Sequence, residues 1–237
     1  MMWQNPTNLN DYDRKLITLH QPRSIATEQY NILRTELLKI KAKESRNVFL
    51  VTSAVRGEGK TLTSANLAIT IAKGVLETVL LIDCDLRRPN INSRQSLSDS
   101  YEGLSNYLDS EEDIGRFLIK QSICKLTILP SGKIPSNPAE LLGSERMIDL
   151  IKEVKHRYNN RFIIIDSPPL LPVTDATLLS PHVDGVILVI RASETPKEIV
   201  EEGIRKLGKE VNVVGVVLNG IESTPSRRYY RYKYNYY

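Results

Sequence analysis

The sequence predicts an α/β fold, with a mostly parallel central sheet, helices on both faces and a flexible tyrosine-rich C-terminal tail. Three observations predict it. Apolar runs such as Phe162-Ile-Ile-Ile165 and Val186-Ile-Leu-Val-Ile190 are continuous rather than alternating, as in strands buried on both faces. Helical stretches fall between those runs, the order that parallel crossovers produce. The 237 residues are 41% hydrophobic and 25% charged, enough apolar material for one large core and typical of a globular chain.

In chain order, residues 1–23 have no clear period and contain Pro6 and Pro22, so an extended or partly disordered arm is expected. A folded domain is expected over 24–226. It opens with a helix over 24–44, where Ile25, Tyr30, Ile32, Leu33, Leu37, Leu38 and Ile40 share one stripe. Lys39, Lys41, Lys43 and Arg46 suit its C-terminus. A strand follows at 47–52, a helix at 60–73 and a strand at 78–83. Residues 86–124 are irregular, with short helical pieces at 103–109 and 111–119. A strand at 126–129, a helix at 144–157, a strand at 161–166, a helix at 174–181 and a strand at 184–190 come next. Thr195-Pro-Lys-Glu198 reads as a capping box that opens the last long helix, with Thr195 as N-cap. A strand at 211–218 closes the sheet.

Charge and cysteine content narrow the function classes. The formal charge of +4 is confined to the tail: residues 227–237 hold Arg227, Arg228, Arg231, Lys233 and no acid, and the other 226 residues hold 28 basic against 28 acidic side chains. A neutral body argues against a nucleic-acid-binding face, so no nucleic acid is expected. Cys84 and Cys124 form neither a disulfide framework nor a metal-ligand spacing. No run approaches the roughly 18 residues of a membrane span, and the N-terminus lacks the features of a signal peptide. A cytoplasmic location is expected.

Between the strand at 47–52 and the helix from 60 lies Ser53-Ala-Val-Arg-Gly-Glu-Gly-Lys-Thr61. A small-residue loop that joins a strand to a helix N-terminus and ends Gly-Lys-Thr suits phosphate, because unpaired amides and the positive helix end converge there. Gly57 and Gly59 let the backbone curl close to an anion. Lys60 reaches toward the β- and γ-phosphates, and the Thr61 hydroxyl suits Mg²⁺. Ala54 stands where such a P-loop begins with glycine. The fold expected is therefore P-loop NTPase-like. Its strand ends carry acids: Asp83 and Asp85 in Leu80-Leu-Ile-Asp-Cys-Asp85, and Asp166 in Phe162-Ile-Ile-Ile-Asp166-Ser-Pro-Pro169. Ligands of open α/β sheets bind at such carboxyl ends. Asp166 fits the carboxylate that holds Mg²⁺ opposite the threonine, and Asp83 or Asp85 would assist the metal or accept a hydroxyl proton. Arg87 and Arg88 would pair with these acids or hold phosphate. Cys84 reads as a small packed residue.

Six of the eleven tyrosines lie in the last nine residues. With no aliphatic side chain this segment makes no core of its own and is expected to be mobile. Three readings stay open: stacking on single-stranded nucleic acid, an assembly tail, or phosphoacceptors.

Taken together, these residues resemble the bacterial tyrosine kinases of capsule and exopolysaccharide synthesis, in the form whose cytoplasmic kinase is a separate chain. The resemblance covers roughly residues 22–237. It rests on Gly57-Glu-Gly-Lys-Thr61, Asp83-Cys-Asp-Leu-Arg-Arg-Pro89, Asn137-Pro-Ala-Glu-Leu-Leu142, Asp166-Ser-Pro-Pro169, Val216-Val-Leu-Asn219 and the cluster Tyr229–Tyr237. It implies ATP-dependent autophosphorylation of Tyr229, Tyr230, Tyr232, Tyr234, Tyr236 and Tyr237, regulating polysaccharide polymerisation or export. By the same analogy Arg56, Gly57, Glu58, Gly59, Lys60, Thr61, Leu62 and Asn219 surround ATP or ADP, and Thr61, Asp83 and Asp166 serve Mg²⁺. Lys60, Asp83, Asp85 and Asp166 form the catalytic set, with Asp83 the leading candidate to activate the acceptor phenol. The implied partners are a membrane-anchored activator (a chain-length regulator), a tyrosine phosphatase and a homo-oligomeric ring built through Glu28 and Arg34. The activator would place the chain at the inner face of the plasma membrane. Two positions depart from the family: Arg56 stands for a proline, and Asn31 for an arginine between Glu28 and Arg34. The competing reading is a P-loop ATPase switch of the cell-division or plasmid-partition type, but Val55 occupies the place of its signature lysine. An iron–sulfur carrier of this fold would need a Cys-x-x-Cys pair, which the sequence lacks.

Overall fold

A computed structural model describes residues 15–88, 102–121, 125–157 and 161–221. The arm before Lys15, Cys124 and the tail tyrosines lie outside the described residues. The described residues begin with a short helix α1 (Ile17–His20), then α2 (Ile25–Glu44), β1 (Val48–Ser53), α3 (Lys60–Ala72) and β2 (Thr78–Asp83). Next come α4 (Leu104–Leu108), a 3₁₀ turn at Ile114–Phe117, β3 (Ile119–Lys120) and β4 (Leu126–Leu129). The remainder is α5 (Pro138–Leu142), α6 (Glu145–Arg157), β5 (Arg161–Asp166), α7 (Asp175–Leu179), β6 (Gly185–Arg191), α8 (Lys197–Leu207) and β7 (Val213–Asn219).

Among the described residues the strands form one seven-stranded sheet in the order β3-β4-β2-β5-β1-β6-β7. All pairings are parallel except that of β3 with β4. The expected parallel sheet is thus present, with a two-residue antiparallel strand at one edge that is too short to leave a periodic signal. Continuous apolar runs become strands here because each face has its own core. Val48, Leu50, Leu80, Ile82, Ile163 and Ile165 face one cluster, with Met147, Leu150, Ile151 and Val154 of α6. Phe49, Val51, Val79, Leu81, Phe162 and Ile164 face the other, with α3 from Ala65 to Ala72. Phe49 and Phe162 stack there with ring centroids 6.2 Å apart.

Local signals set several boundaries. Ser24 caps α2 by accepting from Thr27 N at 3.1 Å. Ser144 Oγ accepts from Met147 N at 3.2 Å at the start of α6. Residues 15–23, read from sequence as part of the arm, fold onto α3. Leu16 is fully buried, and Thr18 bonds Asn66 through both its N–H (3.1 Å) and its hydroxyl (2.9 Å). Thr195 does not cap α8. Pro196 takes the N-cap position without a side-chain bond, and the Thr195 hydroxyl is drawn away to Glu58.

The start of β1 is pinned by one carboxylate. Asp184 Oδ2 accepts from Asn47 N (2.9 Å) and Val48 N (3.0 Å), while Oδ1 accepts from Lys155 Nζ. Burial pushes the Asp184 carboxyl up, but Lys155 and the two amides outweigh it and hold it below the usual carboxylate range. A lowered folded-state pKa gives stability that is present above the unfolded value and lost as pH falls through the folded one. Asp184→Ala is therefore expected to cost about 1.5–3 kcal/mol at neutral pH, the range for hydrogen bonds to a charged group. In urea titrations the gap between variant and parent should close as pH drops below about 4; a gap unchanged at low pH would refute the assignment.

Candidate active site

The site lies at the carboxyl ends of β1, β5 and β2. The loop after β1 turns through Gly57 (φ 87°) and Gly59 (φ 91°), left-handed conformations that favour glycine. At Gly59 space is short as well, since an added Cβ would sit 2.0 Å from Asn219 Nδ2. α3 begins at once, with its ladder starting at Thr63 N to Gly59 O (2.9 Å). The amides ahead of Thr63 are thus left for an outside acceptor, in the geometry that binds phosphate.

Parallel register sets the acids beside this loop. Asp83 of β2 pairs directly with Asp166 of β5, and Val51 of β1 also pairs with Asp166. Asp83 and Asp166 are fully buried, and Asp85 and Lys60 nearly so. Lys60 Nζ bonds Asp85 Oδ2 at 3.2 Å. Asp83 Oδ1 accepts from Asp85 N at 3.1 Å, which fixes the turn that holds Asp85 toward the lysine. Ser64, one helical turn past Lys60, donates to Asp166 Oδ1 at 3.1 Å. The structure therefore brings together Lys60, Asp83, Asp85 and Asp166, with Thr61 at the same helix end.

The electrostatics follow from burial. Desolvation alone would lower the Lys60 ammonium, but Asp166, Asp85 and Asp83 hold it above its ordinary value. Burial pushes the Asp166 carboxyl up, against the opposing pull of Lys60 and of the Thr61 and Ser64 hydroxyls. Asp166 Oδ2 is buried and has no hydrogen-bond partner among the described residues. A buried carboxylate oxygen without a donor, beside a threonine hydroxyl and a second carboxylate, is an oxygen donor set that fits Mg²⁺. Burial, reinforced by the surrounding acids, pushes the Cys84 thiol well up, so it is a packed thiol rather than a nucleophile.

The remaining expected residues sit around this centre. Arg56 and Gly57 are exposed at the loop tip, and Leu62 is half-buried. Glu58 is buried. Its Oε2 accepts from Val55 N (2.9 Å), and its Oε1 from the Thr195 hydroxyl (2.8 Å) and Arg191 N (3.4 Å). Asn219 Nδ2 donates to Glu58 O at 2.8 Å. Glu58 and Asn219 thus tie the phosphate loop to the β6–α8 connection and to the end of β7. Arg87 forms a two-pronged pair with Asp175 of α7 at 2.8 and 3.0 Å. Sequence reading missed Asp175, whose only signal is an acid in the first turn of a short helix. Arg34 lies against the end of α3, with Nη1 3.5 Å from Thr70 O, whereas Glu28 is exposed and accepts from Asn31 at 3.0 Å.

The AAA-domain family matches residues 47–220. The chain is 35% identical to tyrosine-protein kinase YwqD of Bacillus subtilis over 208 residues, 87% of this chain and 86% of that protein. It is 32% identical to tyrosine-protein kinase CpsD of Streptococcus agalactiae, covering 84% of this chain and 85% of that one. The chain belongs to the bacterial tyrosine-protein kinases. Solved kinase domains agree: that of Escherichia coli tyrosine kinase ETK superposes with a TM-score of 0.83 at 29% identity, over 94% of this chain and 84% of that one. The VpsO kinase domain gives 0.75 at 36% identity, over 90% and 100%. Similarity to the septum-site protein MinD of Pyrococcus horikoshii, solved with Mg-ADP, has a TM-score of 0.61 at 22% identity over 76% and 74%, and bears on the fold alone. The kinase reading therefore stands over the ATPase-switch reading, and the P-loop fold makes this a nucleotide-binding protein. Among the described residues no helix is long and apolar enough to cross a membrane.

Two outcomes are expected of the side chains that brace the site. Glu58→Ala leaves the Val55 amide and the Thr195 hydroxyl without their acceptor, at a cost of about 1–3 kcal/mol. It also frees the phosphate loop, so ATP binding should weaken about tenfold by calorimetry, roughly 1.4 kcal/mol; unchanged affinity would show that the loop holds its shape alone. Arg87→Ala strands the buried Asp175 carboxylate, at a cost of roughly 3 kcal/mol. Asp175→Ala should cost less, because the half-exposed Arg87 can turn to water; the reverse order in denaturant titrations would contradict the pairing.

Proposed function

We propose that the chain is an ATP-dependent tyrosine autokinase that phosphorylates its own C-terminal tyrosine cluster. The observation that carries the reading is Lys60 at the start of α3, held by the Asp83, Asp85 and Asp166 cluster. In this reading the loop amides from Gly57 to Leu62 and the Lys60 ammonium cradle the phosphates of ATP, and Arg56 adds charge at the rim. Asn219 keeps the loop placed. Thr61, Asp83 and Asp166 would hold Mg²⁺, which supplies charge neutralisation at the phosphates. Phosphate entry draws Lys60 from Asp85, its counter-ion in the resting site. Asp83 takes the proton of the attacking phenol, whose ordinary pKa near 10 leaves it protonated at neutral pH. The bond made joins the phenol oxygen to the γ-phosphorus, and the bond broken releases ADP.

The acceptors in this reading are Tyr229, Tyr230, Tyr232, Tyr234, Tyr236 and Tyr237, which lie outside the described residues. Its setting is capsule or exopolysaccharide synthesis, at the inner face of the plasma membrane, where a membrane-anchored activator completes the site and a phosphatase reverses the reaction. Ring assembly would use the exposed Glu28 on α2; Arg34, packed on α3, would serve by positioning that helix.

The intact mass of the chain, measured before and after ATP and Mg²⁺ with a fused activator segment, tests the reading. Phosphate-sized increments mapped to residues 229–237 and abolished by Lys60→Met are expected. ATP hydrolysis without any mass increment would return the chain to the switch class. Asp83→Asn should lower the transfer rate by about 10²–10⁴, the range for a lost general base, whereas Asp85→Asn should change it by less than about tenfold. Equal losses would mean that Asp83 is not the base.

A further inference from the structure

β7 ends the sheet, and among the described residues no strand pairs with its outer edge. The edge is unusual. Val213-Val-Gly-Val-Val-Leu-Asn219 carries no charge and no proline. Its one register shift lies at Val186/Ile187, so pairing with β6 runs regularly from Gly215 to Asn219. Free edges of this kind template aggregation unless charge, proline, a bulge or another segment blunts them. The surface beside it is apolar as well. Val216 and Leu218 point to one face and are 55% and 54% exposed. They pair with Leu188 and Ile190, which border the core beneath α8. Ile204 of α8, four residues after the core-packed Val200, is exposed on the same side.

The sequence just downstream fits this edge. Residues 230–236, Tyr-Arg-Tyr-Lys-Tyr-Asn-Tyr, alternate aromatic and polar side chains with strict period two over seven positions, the length of β7. That is the pattern of a half-buried strand, and tyrosine favours strands. Eight residues, 222–229, join Ile221 to Tyr230 and include Pro225, so the linker is long enough for the chain to turn back alongside β7.

We propose that residues 230–236 add to the free edge of β7 of their own chain as an antiparallel strand. Tyr230, Tyr232, Tyr234 and Tyr236 lie along the Val216–Leu218 shelf, and Arg231, Lys233 and Asn235 face the other way. Backbone hydrogen bonds supply the affinity and the aromatic rings cover the shelf, as in other strand additions. On the reading that these tyrosines are phosphoacceptors, the docked tail is a store that withholds them from the catalytic site. Each phosphate adds about −1.5 to −2 charge, which an apolar shelf does not accept, so a modified tail leaves the edge.

Hydrogen exchange on the phosphatase-treated full chain, without nucleotide, tests the docking independently of kinase activity. Amides in 213–219 are expected to exchange about tenfold more slowly than in a chain ending at Ile221, which needs only about 1.4 kcal/mol of docking free energy. The protection should be independent of protein concentration and be lost in the full chain carrying Val216→Lys and Leu218→Lys. Equal exchange in the full and shortened chains would overturn the proposal and leave the kinase reading intact. So would protection that the lysine variant retains. A second measurement fixes the source of the strand. With Val216→Cys and Tyr232→Cys, oxidation should give a disulfide within one chain, mapped by mass; a 216–232 disulfide joining two chains would assign the strand to a second copy and overturn the proposal.

Discussion

Three carboxylates and one ammonium buried at the ends of two neighbouring strands set the terms for the rest of the molecule. Register alone places Asp83 opposite Asp166. Like charges at the roughly 5 Å spacing of paired strands repel by about 3 kcal/mol at an effective dielectric constant near 20. Lys60 answers part of that, and its raised ammonium pKa and the raised Asp166 carboxyl are two sides of one imbalance. Among the described residues Asp166 Oδ2 is left without a hydrogen-bond partner, which marks where the cluster lacks positive charge. The surroundings are arranged to keep so costly a group in place. Ser64 holds the other oxygen of Asp166, and the amide of Asp85 holds Asp83. The parallel sheet, closed on both faces by core, keeps water from relaxing the field.

Much of this was legible in the sequence, for a definite reason. Strands 78–83, 126–129 and 161–166 are recovered at the expected bounds because their largely apolar runs end abruptly in Asp or before Pro. The phosphate loop and the acids at strand ends were legible because each is local: a glycine pair, a lysine, an aspartate after four apolar residues. What stayed hidden is long-range. Glu58 meets Thr195 across 137 positions, Arg87 meets Asp175 across 88, and Thr18 meets Asn66 across 48. No window of sequence holds both partners of any such pair. Thr195 shows the consequence. Its local context spells a capping box, yet its hydroxyl serves the phosphate loop, and a partner that is buried and charged outweighs a cap worth about 1 kcal/mol. The short β3 escaped for a different reason: two residues are too few to display a period.

The hidden contacts also change what the final strand does. In sequence, Val216-Val-Leu-Asn219 is a strand with a polar end. In the structure Asn219 grips Glu58 O and abuts Gly59, while the Glu58 side chain grips Thr195 at the end of the β6–α8 connection. The phosphate loop is therefore fastened to the edge of the sheet rather than only to its centre. A segment that adds to β7 stiffens a strand whose last residue holds that loop, and a nucleotide that reshapes the loop pulls on the same strand. Linkage makes such an effect reciprocal: whatever docking on the edge does to nucleotide affinity, the nucleotide does to docking by the same factor. If the edge is occupied as proposed, edge and nucleotide site would be the two ends of one strand, joined through Asn219 and Glu58.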